Sequence, residues 1–257
     1  MKRITFFIYG TLCYVFFLGI FLYAVVFLGN FGVHNTIDGQ AQVSVWQALT
    51  INTLLLGLFA IQHSVMARQG FKRWWTQYIP KPIERSTYVL CTNIALALLF
   101  YAWQPMGGEI WHIQDTIGRG LLYSLFAAGW GLILMATLLI NHFDLFGMRQ
   151  VWLYLRKQEY TPLPFKTPAL YQQVRHPLYV GWLLVFWATP TMTVAHLVFA
   201  MTTTIYILMA IQWEERDLVT FHGEAYKDYQ QRVPMLIPRF FRGNHMGKPQ
   251  AARTLSA

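Results

Sequence analysis

Residues Leu178–Trp213 form a 36-residue stretch, rich in apolar side chains, that is too long for one membrane helix. A continuous helix of this length would measure about 54 Å, whereas the hydrocarbon core of a bilayer is about 30 Å thick. We expect the stretch to fold back at Ala188–Thr191, because Pro190 cannot donate a backbone N–H and disfavours a helical residue before it. The open ends of the resulting hairpin would bring Arg175–Pro177 and Glu214–Glu215 to the same membrane face.

Four further apolar runs are each long enough to cross a bilayer. They are Ile4–Leu28, Trp46–Met66, Thr87–Trp103 and Leu121–Ile140. The chain is 55% hydrophobic and only 12% charged, far less charged than a soluble domain. The sequence therefore predicts an all-α, polytopic integral membrane helical bundle, with four spans plus a C-terminal helical hairpin and thus five to six membrane helices.

Basic residues distinguish the two faces of this bundle. If the chain begins on the cytoplasmic side, 19 of the 20 Lys and Arg residues fall in cytoplasmic segments, and only Arg119 lies elsewhere. Cytoplasmic loops carry such an excess of Lys and Arg. We therefore expect both termini and the open ends of the hairpin at the cytoplasmic face of an inner or plasma membrane. The net charge of +9 then indicates contact with anionic membrane lipids rather than with nucleic acid.

Three parts of the chain differ in character. Residues 1–141 are predicted to hold the N-terminal transmembrane helices, and residues 142–242 a cytoplasmic connector, the hairpin and a ligand-binding core. The tail 243–257 is small, polar and basic, which predicts disorder. Three histidines fall near the opposite membrane face and are excluded from the predicted site: His34, His112 and His196.

The tripeptide Arg175–Pro177 suits the start of a helix. Pro177 fits the first helical position, where its missing N–H costs nothing, and His176 stands at the cap. Arg175 and the free N–H groups of the helix would then point at an anion such as a carboxylate or phosphate. An interfacial anchor that meets lipid headgroups explains the tripeptide equally well.

Glu214 and Glu215 stand near the expected C-terminus of the longer arm. Carboxylates there oppose the helix dipole, at a cost of roughly 0.3–1 kcal/mol. A solvated helix end is one explanation. The other is a site for a zwitterion, with its amino group on a glutamate and its carboxylate on Arg175 or the helix N-terminus.

Several motifs follow one another in order through this region. They are Arg-His-Pro-x-Tyr (175–179), the hairpin, Glu-Glu (214–215), Gly-x-x-Tyr-x-x-Tyr (223–229) and Val-Pro-x-x-Ile-Pro (233–238). The set resembles the C-terminal core of the isoprenylcysteine carboxyl methyltransferase and phospholipid N-methyltransferase superfamily. The resemblance implies S-adenosylmethionine bound at the cytoplasmic face. Carried over by position, the cofactor-binding residues are Arg175, His176, Pro177, Tyr179, Glu214 and Glu215.

Three upstream motifs narrow the resemblance: Gln62–Arg68, Glu84–Tyr88 and Asn141–Gln150. They resemble the methanethiol S-methyltransferase branch of the superfamily, near the NnrU proteins associated with nitrite reductase. This branch implies transfer of a methyl group from S-adenosylmethionine to a small thiol, methanethiol, which gives dimethyl sulfide and S-adenosylhomocysteine.

Such a reaction needs a base or a cationic pocket, because the thiolate rather than the thiol is the effective nucleophile. His63, His142 and Asp144 are candidates because they lie near predicted cytoplasmic helix ends, and Arg149 is a candidate to stabilise the thiolate. The alternatives are a hydrogen bond between helices for His63, an interfacial turn or cap for His142 and Asp144, and a lipid contact for Arg149. The spacing of His, Cys, Asp and Glu predicts no metal site.

Other functions fit the same residues. Within methyl transfer, the acceptor is alternatively a prenylcysteine carboxylate, a phospholipid amine or another small thiol. A reductase of the sterol type, which would bind NADPH, is a different chemistry on a related core. A non-catalytic, NnrU-like protein that assists the assembly of respiratory enzymes is the alternative outside enzymes.

Overall fold

The computed structural model describes residues 1–32 and 35–238. His34 and the tail 243–257 lie outside the described residues, so the predictions for them stay predictions. The described chain forms ten α-helices and two short β-strands. In chain order they are Lys2–Gly29 (α1), Val45–Ala67 (α2), Gln69–Trp75 (α3), Lys81–Ala102 (α4), Glu109–His112 (β1), Thr116–Ile140 (α5), His142–Leu145 (α6), Met148–Leu155 (α7), Pro177–Trp187 (α8), Thr191–Thr193 (β2), Val194–His222 (α9) and Glu224–Arg232 (α10).

Five of the described helices, α1, α2, α4, α5 and α9, are long and apolar enough to cross a membrane. They confirm the predicted polytopic helical bundle. The third span begins at Lys81 rather than at the predicted Thr87. Pro82 stands in the first turn of α4, where a missing N–H is tolerated, and the helix therefore starts before its apolar part.

The predicted hairpin is present, with one correction. The chain turns between Trp187 and Thr191, as Pro190 predicted, but the long arm α9 continues to His222 instead of ending at Trp213. Gly223, at a φ of +59°, ends the helix, because glycine adopts this conformation without steric cost. Glu214 and Glu215 therefore lie inside a helix, and the predicted conflict with the helix dipole at its C-terminus was wrong.

The short arm α8 has 11 residues and is about 16 Å long, so it covers only about half of a bilayer core. It packs closely against α5 where the two helices cross. A Cβ atom on Gly129 of α5 would lie 2.9 Å from the carbonyl oxygen of Gly181 in α8. Small residues allow membrane helices to approach in this way. This crossing fixes the position of the residues at the start of α8.

Two strands at the turn of the hairpin were missed by the helical prediction. The strands β1 and β2 pair antiparallel at what we call the strand end of the bundle. His112 lies in β1 and His196 in the first turn of α9, so both are at this end, as expected. His196 is fully buried, with Nδ1 3.1 Å from Oδ2 of Asp38 and Nε2 3.0 Å from the carbonyl oxygen of Phe186. These contacts give it a structural role.

The segment 142–174, which we call the connector, lies at the opposite end of the bundle. Phe6 of α1 stacks on Tyr154 of α7 with ring centroids 5.5 Å apart, so the chain begins at this connector end. The main hydrophobic core combines both predicted parts of the chain, as Phe27, Leu99, Val185 and Ile211 illustrate. The division at residues 141 and 142 thus stays a prediction about function, because the helices on both sides of it pack into one core.

Candidate active site

The start of α8 and the last turns of α9 meet at the connector end. Nε of Arg175 donates to Oε1 of Glu215 over 2.6 Å, and Nε2 of His176 lies 3.0 Å from the same oxygen. Nε2 of Gln230, on α10, donates to the other oxygen of Glu215 over 2.9 Å. The side chains of Arg175 and Glu215 are each 12% exposed. The hairpin therefore brings together the two groups of residues that the sequence analysis expected at one face.

Two of the three guanidinium nitrogens of Arg175 bind groups within the protein. Its Nη1 donates to the carbonyl oxygens of Gln230 and Val233, over 3.0 and 2.6 Å. The backbone N–H groups of Arg175 and His176 donate to the carbonyl oxygens of Pro234 and Met235. Arg175 thus fastens the segment after α10 to the start of α8. The expectation that Arg175 receives a ligand carboxylate stays a prediction, which this arrangement does not favour because Glu215 and two carbonyl groups already occupy Nε and Nη1.

Glu214 has a different environment from its neighbour. Its side chain is 46% exposed, and Oε2 accepts a hydrogen bond from the phenol of Tyr179 over 2.9 Å. Nδ1 of His176 lies 3.9 Å from the same oxygen. Within the described residues, no donor reaches Oε1 of Glu214. This carboxylate is therefore available to a positively charged ligand.

Two phenols border Glu214 and the end of α10. Burial, followed by the negative charge of Glu214, raises the pKa of Tyr171 in the connector. Burial also raises the pKa of Tyr229 to about 12, and its hydroxyl group donates to the carbonyl oxygen of Tyr171 over 2.5 Å. Both side chains are neutral at physiological pH, so this contact between α10 and the connector adds no charge to the region of Glu214 and Glu215.

A second group of polar residues lies between α2, α4 and α9. The hydroxyl group of Tyr88 is 2.9 Å from Nδ1 of His63, and the imidazole stacks on Phe59. Oγ of Ser64 is 2.9 Å from the hydroxyl group of Tyr206 on α9. Tyr88 and Tyr206 both lie close enough to Tyr179 to act on it electrostatically. The group around His63 therefore adjoins the group around Glu214.

His142 lies apart from these groups. It is buried, with Nε2 2.8 Å from the hydroxyl group of Tyr14 and Nδ1 2.9 Å from Oγ1 of Thr137. Its ring also packs against Phe146 at 4.7 Å between centroids. Burial lowers the pKa of His142, so the imidazole is neutral at pH 7. Since both nitrogens are engaged, this geometry favours a structural role that joins α1, α5 and the connector.

Asp144 and Arg149 pair with each other. Nη1 of Arg149 donates to Oδ1 of Asp144 over 2.9 Å, and the hydroxyl group of Tyr160 donates to Oδ2 over 3.3 Å. In the described part of the chain, no hydrogen bond joins this pair to Glu214 or Tyr179. Catalytic roles for His142, Asp144 and Arg149 stay predictions that this arrangement does not favour. The described residues also contain no cluster of His, Cys, Asp and Glu able to hold a metal ion.

Sequence comparison places the chain among known proteins. It is 61% identical to the methanethiol S-methyltransferase of Crocosphaera subtropica over 231 residues. This aligned region covers 90% of this chain and 91% of that protein. It is 50% identical to the methanethiol S-methyltransferase of Mycobacterium tuberculosis, over 93% of this chain and 98% of that protein. The chain belongs to the methanethiol S-methyltransferase family.

Membership of the methanethiol S-methyltransferase family confirms the resemblance and the prediction that the chain is a methyltransferase. A more distant similarity connects it to Nurim of Rattus norvegicus, with 32% identity over 77% of this chain and 78% of that protein. No family model and no solved structure matched the chain.

Sequence reasoning missed three polar residues of this methanethiol S-methyltransferase family member: Tyr88, Tyr206 and Gln230. Tyr88 belongs to the motif Glu84–Tyr88, so of the three it had the clearest signal in the sequence. Tyr206 lies in an apolar run and Gln230 in a polar helix, and neither position carries a signal of its own.

Proposed function

We propose that the protein transfers the methyl group of S-adenosylmethionine to methanethiol, with dimethyl sulfide and S-adenosylhomocysteine as products. The observation that carries this proposal is the half-exposed Glu214–Tyr179 pair, which adjoins the His63–Tyr88 pair in a chain 61% identical to a methanethiol S-methyltransferase. The first pair suits a cationic, amino-acid-like donor, and the second suits an acceptor that loses a proton.

The residues around Glu214 fit the methyl donor by charge. S-adenosylmethionine supplies a methyl group already activated by its sulfonium and carries an ammonium group. Oε1 of Glu214 is open, so an ammonium group would gain a charge-assisted hydrogen bond there. Tyr179 holds Oε2 and thereby fixes the orientation of the carboxylate. We assign donor binding to Glu214 and Tyr179 directly.

The other four predicted cofactor residues act by positioning. Arg175, His176 and Glu215 hold α10 and the segment 233–235 against the start of α8. Pro177 stands at the first position of α8, where its fixed φ starts the helix that carries Tyr179. Such supporting contacts preorganise a binding site by limiting the movement of the groups that touch the ligand.

His63 is the strongest of the predicted bases. It lies in the last two turns of α2, and its Nδ1 and Nε2 are 2.9 and 3.2 Å from the same hydroxyl group, that of Tyr88. A thiol that gives its proton to Nε2 would therefore compete with this one neutral hydroxyl group. An ionisable residue at membrane depth is a functional hypothesis by default. His142 and Asp144 are less suitable because their polar atoms are already engaged.

We further propose that the connector end and both termini face the cytoplasm. The proposal rests on the charge distribution along the sequence, since this orientation assigns 19 of the 20 Lys and Arg residues to cytoplasmic segments. Soluble S-adenosylmethionine would then reach Glu214 directly from the cytoplasm.

One observation favours a second candidate function. An apolar groove of about 750 Å³ runs between α5, α8 and the segment 234–237, and is lined by residues such as Leu125, Leu184 and Trp187. A lateral groove of this kind suits the chain of a lipid. A prenylcysteine carboxylate or a phospholipid amine is therefore the alternative acceptor.

The test uses purified protein in lipid nanodiscs. We expect calorimetry to show binding of S-adenosylhomocysteine and no binding of NADPH. With S-adenosylmethionine, methanethiol should be methylated, whereas a farnesylcysteine analogue and phosphatidylethanolamine should not. Methylation of either lipid acceptor in place of methanethiol would support the second candidate. Binding of NADPH without binding of S-adenosylhomocysteine would contradict both.

A further inference from the structure

Three motifs that stand far apart in the sequence converge at Arg85. They are Gln62–Arg68, Glu84–Tyr88 and Asn141–Gln150. Nε of Arg85 donates to the carbonyl oxygen of Leu145 over 2.8 Å, which joins the second motif to the third. The Tyr88–His63 contact of 2.9 Å joins the second motif to the first. Specific side-chain contacts therefore hold the three motifs together at this place.

The guanidinium group of Arg85 is fixed but not neutralised. Its Cζ atom stands 5.2 Å from the ring centroid of Tyr88, and the Leu145 carbonyl holds Nε. Among the described residues, neither terminal nitrogen of Arg85 has an acceptor, and no carboxylate forms an ion pair with it. Arg149, the cation that the sequence suggested for the thiolate, is by contrast paired with Asp144.

Arg85 has a second cation nearby, and the carboxylates of the region, Glu84, Asp144 and Asp217, form no ion pair with it among the described residues. Lys72 of α3 is close to Arg85, and burial together with the charge of Arg85 lowers the pKa of its ammonium group. Glu84 on α4 and Tyr160 in the connector are further titratable neighbours. A partly buried cation without a counter-ion favours the binding of an anion, because the charge is otherwise uncompensated.

We propose that Arg85 binds the methyl acceptor as its thiolate and that His63, held by Tyr88, receives the thiol proton. The inference rests on the proposed function and adds the residue that fixes the acceptor sulfur. The S–H bond of the acceptor breaks and its proton moves to a ring nitrogen of His63. A bond forms between the acceptor sulfur and the methyl carbon, the bond from that carbon to the sulfonium sulfur breaks, and its electron pair stays on the donor sulfur. Arg85 keeps its charge throughout, since guanidinium does not deprotonate in proteins.

The decisive variant is Arg85→Met, compared on two small thiols of different acidity, methanethiol and the more acidic trifluoroethanethiol. Loss of a group that stabilises developing or bound negative charge costs on the order of 10²–10³-fold in rate. We expect kcat/KM for methanethiol to fall by that amount and kcat/KM for trifluoroethanethiol to fall much less, because the acidic thiol needs less help to ionise. Arg85→Lys should lie between the wild type and Arg85→Met. S-adenosylhomocysteine should bind all three proteins equally, which also shows that they are folded.

The matched control is Arg156→Met. Arg156 also stands over an aromatic ring, with Cζ 5.6 Å from the centroid of Trp152, but it is exposed in the connector. It should retain wild-type rates with both thiols. Equal losses for the two thiols in Arg85→Met, or no loss at all, would overturn the proposal.

A binding measurement separates this inference from the proposed function. Thiocyanate, a small anion with a terminal sulfur, is titrated by calorimetry into the wild type and into Arg85→Met without any methyl donor. Binding that requires Arg85 would establish the anion site even if no dimethyl sulfide forms, and the proposed function alone would then fail. The opposite result is that the wild type methylates methanethiol while Arg85→Met binds thiocyanate as well as the wild type does. This result would overturn the thiolate site and leave the proposed function standing.

Discussion

Nε of Arg175 and Oε1 of Glu215 form a 2.6 Å hydrogen-bonded ion pair whose two side chains are almost entirely shielded from solvent. Glu214, the residue before it on the same helix, is 46% exposed and has no Lys or Arg partner among residues 1–32 and 35–238. Two adjacent carboxylates on one helix therefore have different tasks. One holds the protein together, and the other is available to a ligand.

The exposed carboxylate is expected to control donor affinity. Glu214→Gln should weaken binding of S-adenosylmethionine about 10- to 100-fold, since a hydrogen bond to a charged group contributes about 1.5–3 kcal/mol. Calorimetry with S-adenosylmethionine measures this, and thermal unfolding should be unchanged. Glu224→Gln is the matched control, because Glu224 is also an exposed carboxylate and, in the described part of the chain, forms an ion pair with Lys227 alone. Equal affinity in wild type and Glu214→Gln would remove Glu214 from the site.

The shielded pair is expected to control stability. Arg175→Met leaves Glu215 without its cation and should lower the free energy of unfolding by roughly 3 kcal/mol. The double variant Arg175→Met/Glu215→Met removes both charges and should lose less than the sum of the two single variants. Thermal unfolding in nanodiscs measures all three. Strictly additive losses would show that the two side chains do not act as a pair.

The predicted base is expected to affect turnover rather than binding. His63→Gln removes the proton acceptor and should reduce kcat about 10²- to 10⁴-fold with donor affinity retained. His142→Gln and Asp144→Asn should have smaller effects, because the polar atoms of both residues have partners within the protein. His112→Gln, at the strand end, is the control and should be fully active. Full activity of His63→Gln across pH would exclude it as the base.

His142 is expected to make stability depend on pH. Its pKa in the folded protein lies below the usual value of about 6.5, so between these two values the unfolded chain binds more protons than the folded one. The stabilisation by neutral His142 is therefore complete above about pH 6.5 and is lost as the pH falls towards the folded-state pKa. Unfolding temperatures from pH 8 to about pH 5 should fall more steeply for the wild type than for His142→Gln. Parallel curves would contradict this assignment.

The crossing of α5 and α8 is expected to tolerate no side chain at Gly129. Gly129→Ala would place Cβ 2.9 Å from the backbone oxygen of Gly181 and from Cγ2 of Val185, so the helices must separate. We expect a loss of about 1–3 kcal/mol from this overpacking, measured by thermal unfolding. Gly131→Ala, on the same helix with open space at the Cβ position, is the control and should be neutral or slightly stabilising. Similar losses in both variants would show that the close approach of α5 and α8 at Gly129 is not the cause.

The fold was largely predictable because hydropathy and proline act locally. Long apolar runs predicted the spans, Pro190 predicted the turn of the hairpin, and His-Pro predicted the start of α8. The predicted end of α9 was wrong because the apolar run and the helix end at different residues. The run ends before Glu214–Glu215, whereas the helix continues to His222 and is ended by Gly223. The strands β1 and β2 were missed because three or four residues carry too weak a pattern to indicate a pairing between distant segments.

The sequence predicted which residues of the site lie close together, but it did not predict which of them contact each other. Topology brings Arg175 next to the glutamate pair, but no pattern in the sequence tells which of the two glutamates it contacts. Arg85 was overlooked for a related reason. In the sequence it is one of many cytoplasmic basic residues, whereas in the structure α4 includes it and places its side chain against Leu145 and Tyr88.

The most direct measurement follows the methyl group itself. Purified wild-type protein in nanodiscs receives S-adenosylmethionine with a deuterated methyl group and unlabelled methanethiol, and the headspace is analysed by gas chromatography with mass detection. We predict dimethyl sulfide that carries one deuterated and one ordinary methyl group, in an amount equal to the S-adenosylhomocysteine formed. Absence of labelled dimethyl sulfide from protein that binds S-adenosylhomocysteine would contradict methanethiol as the acceptor.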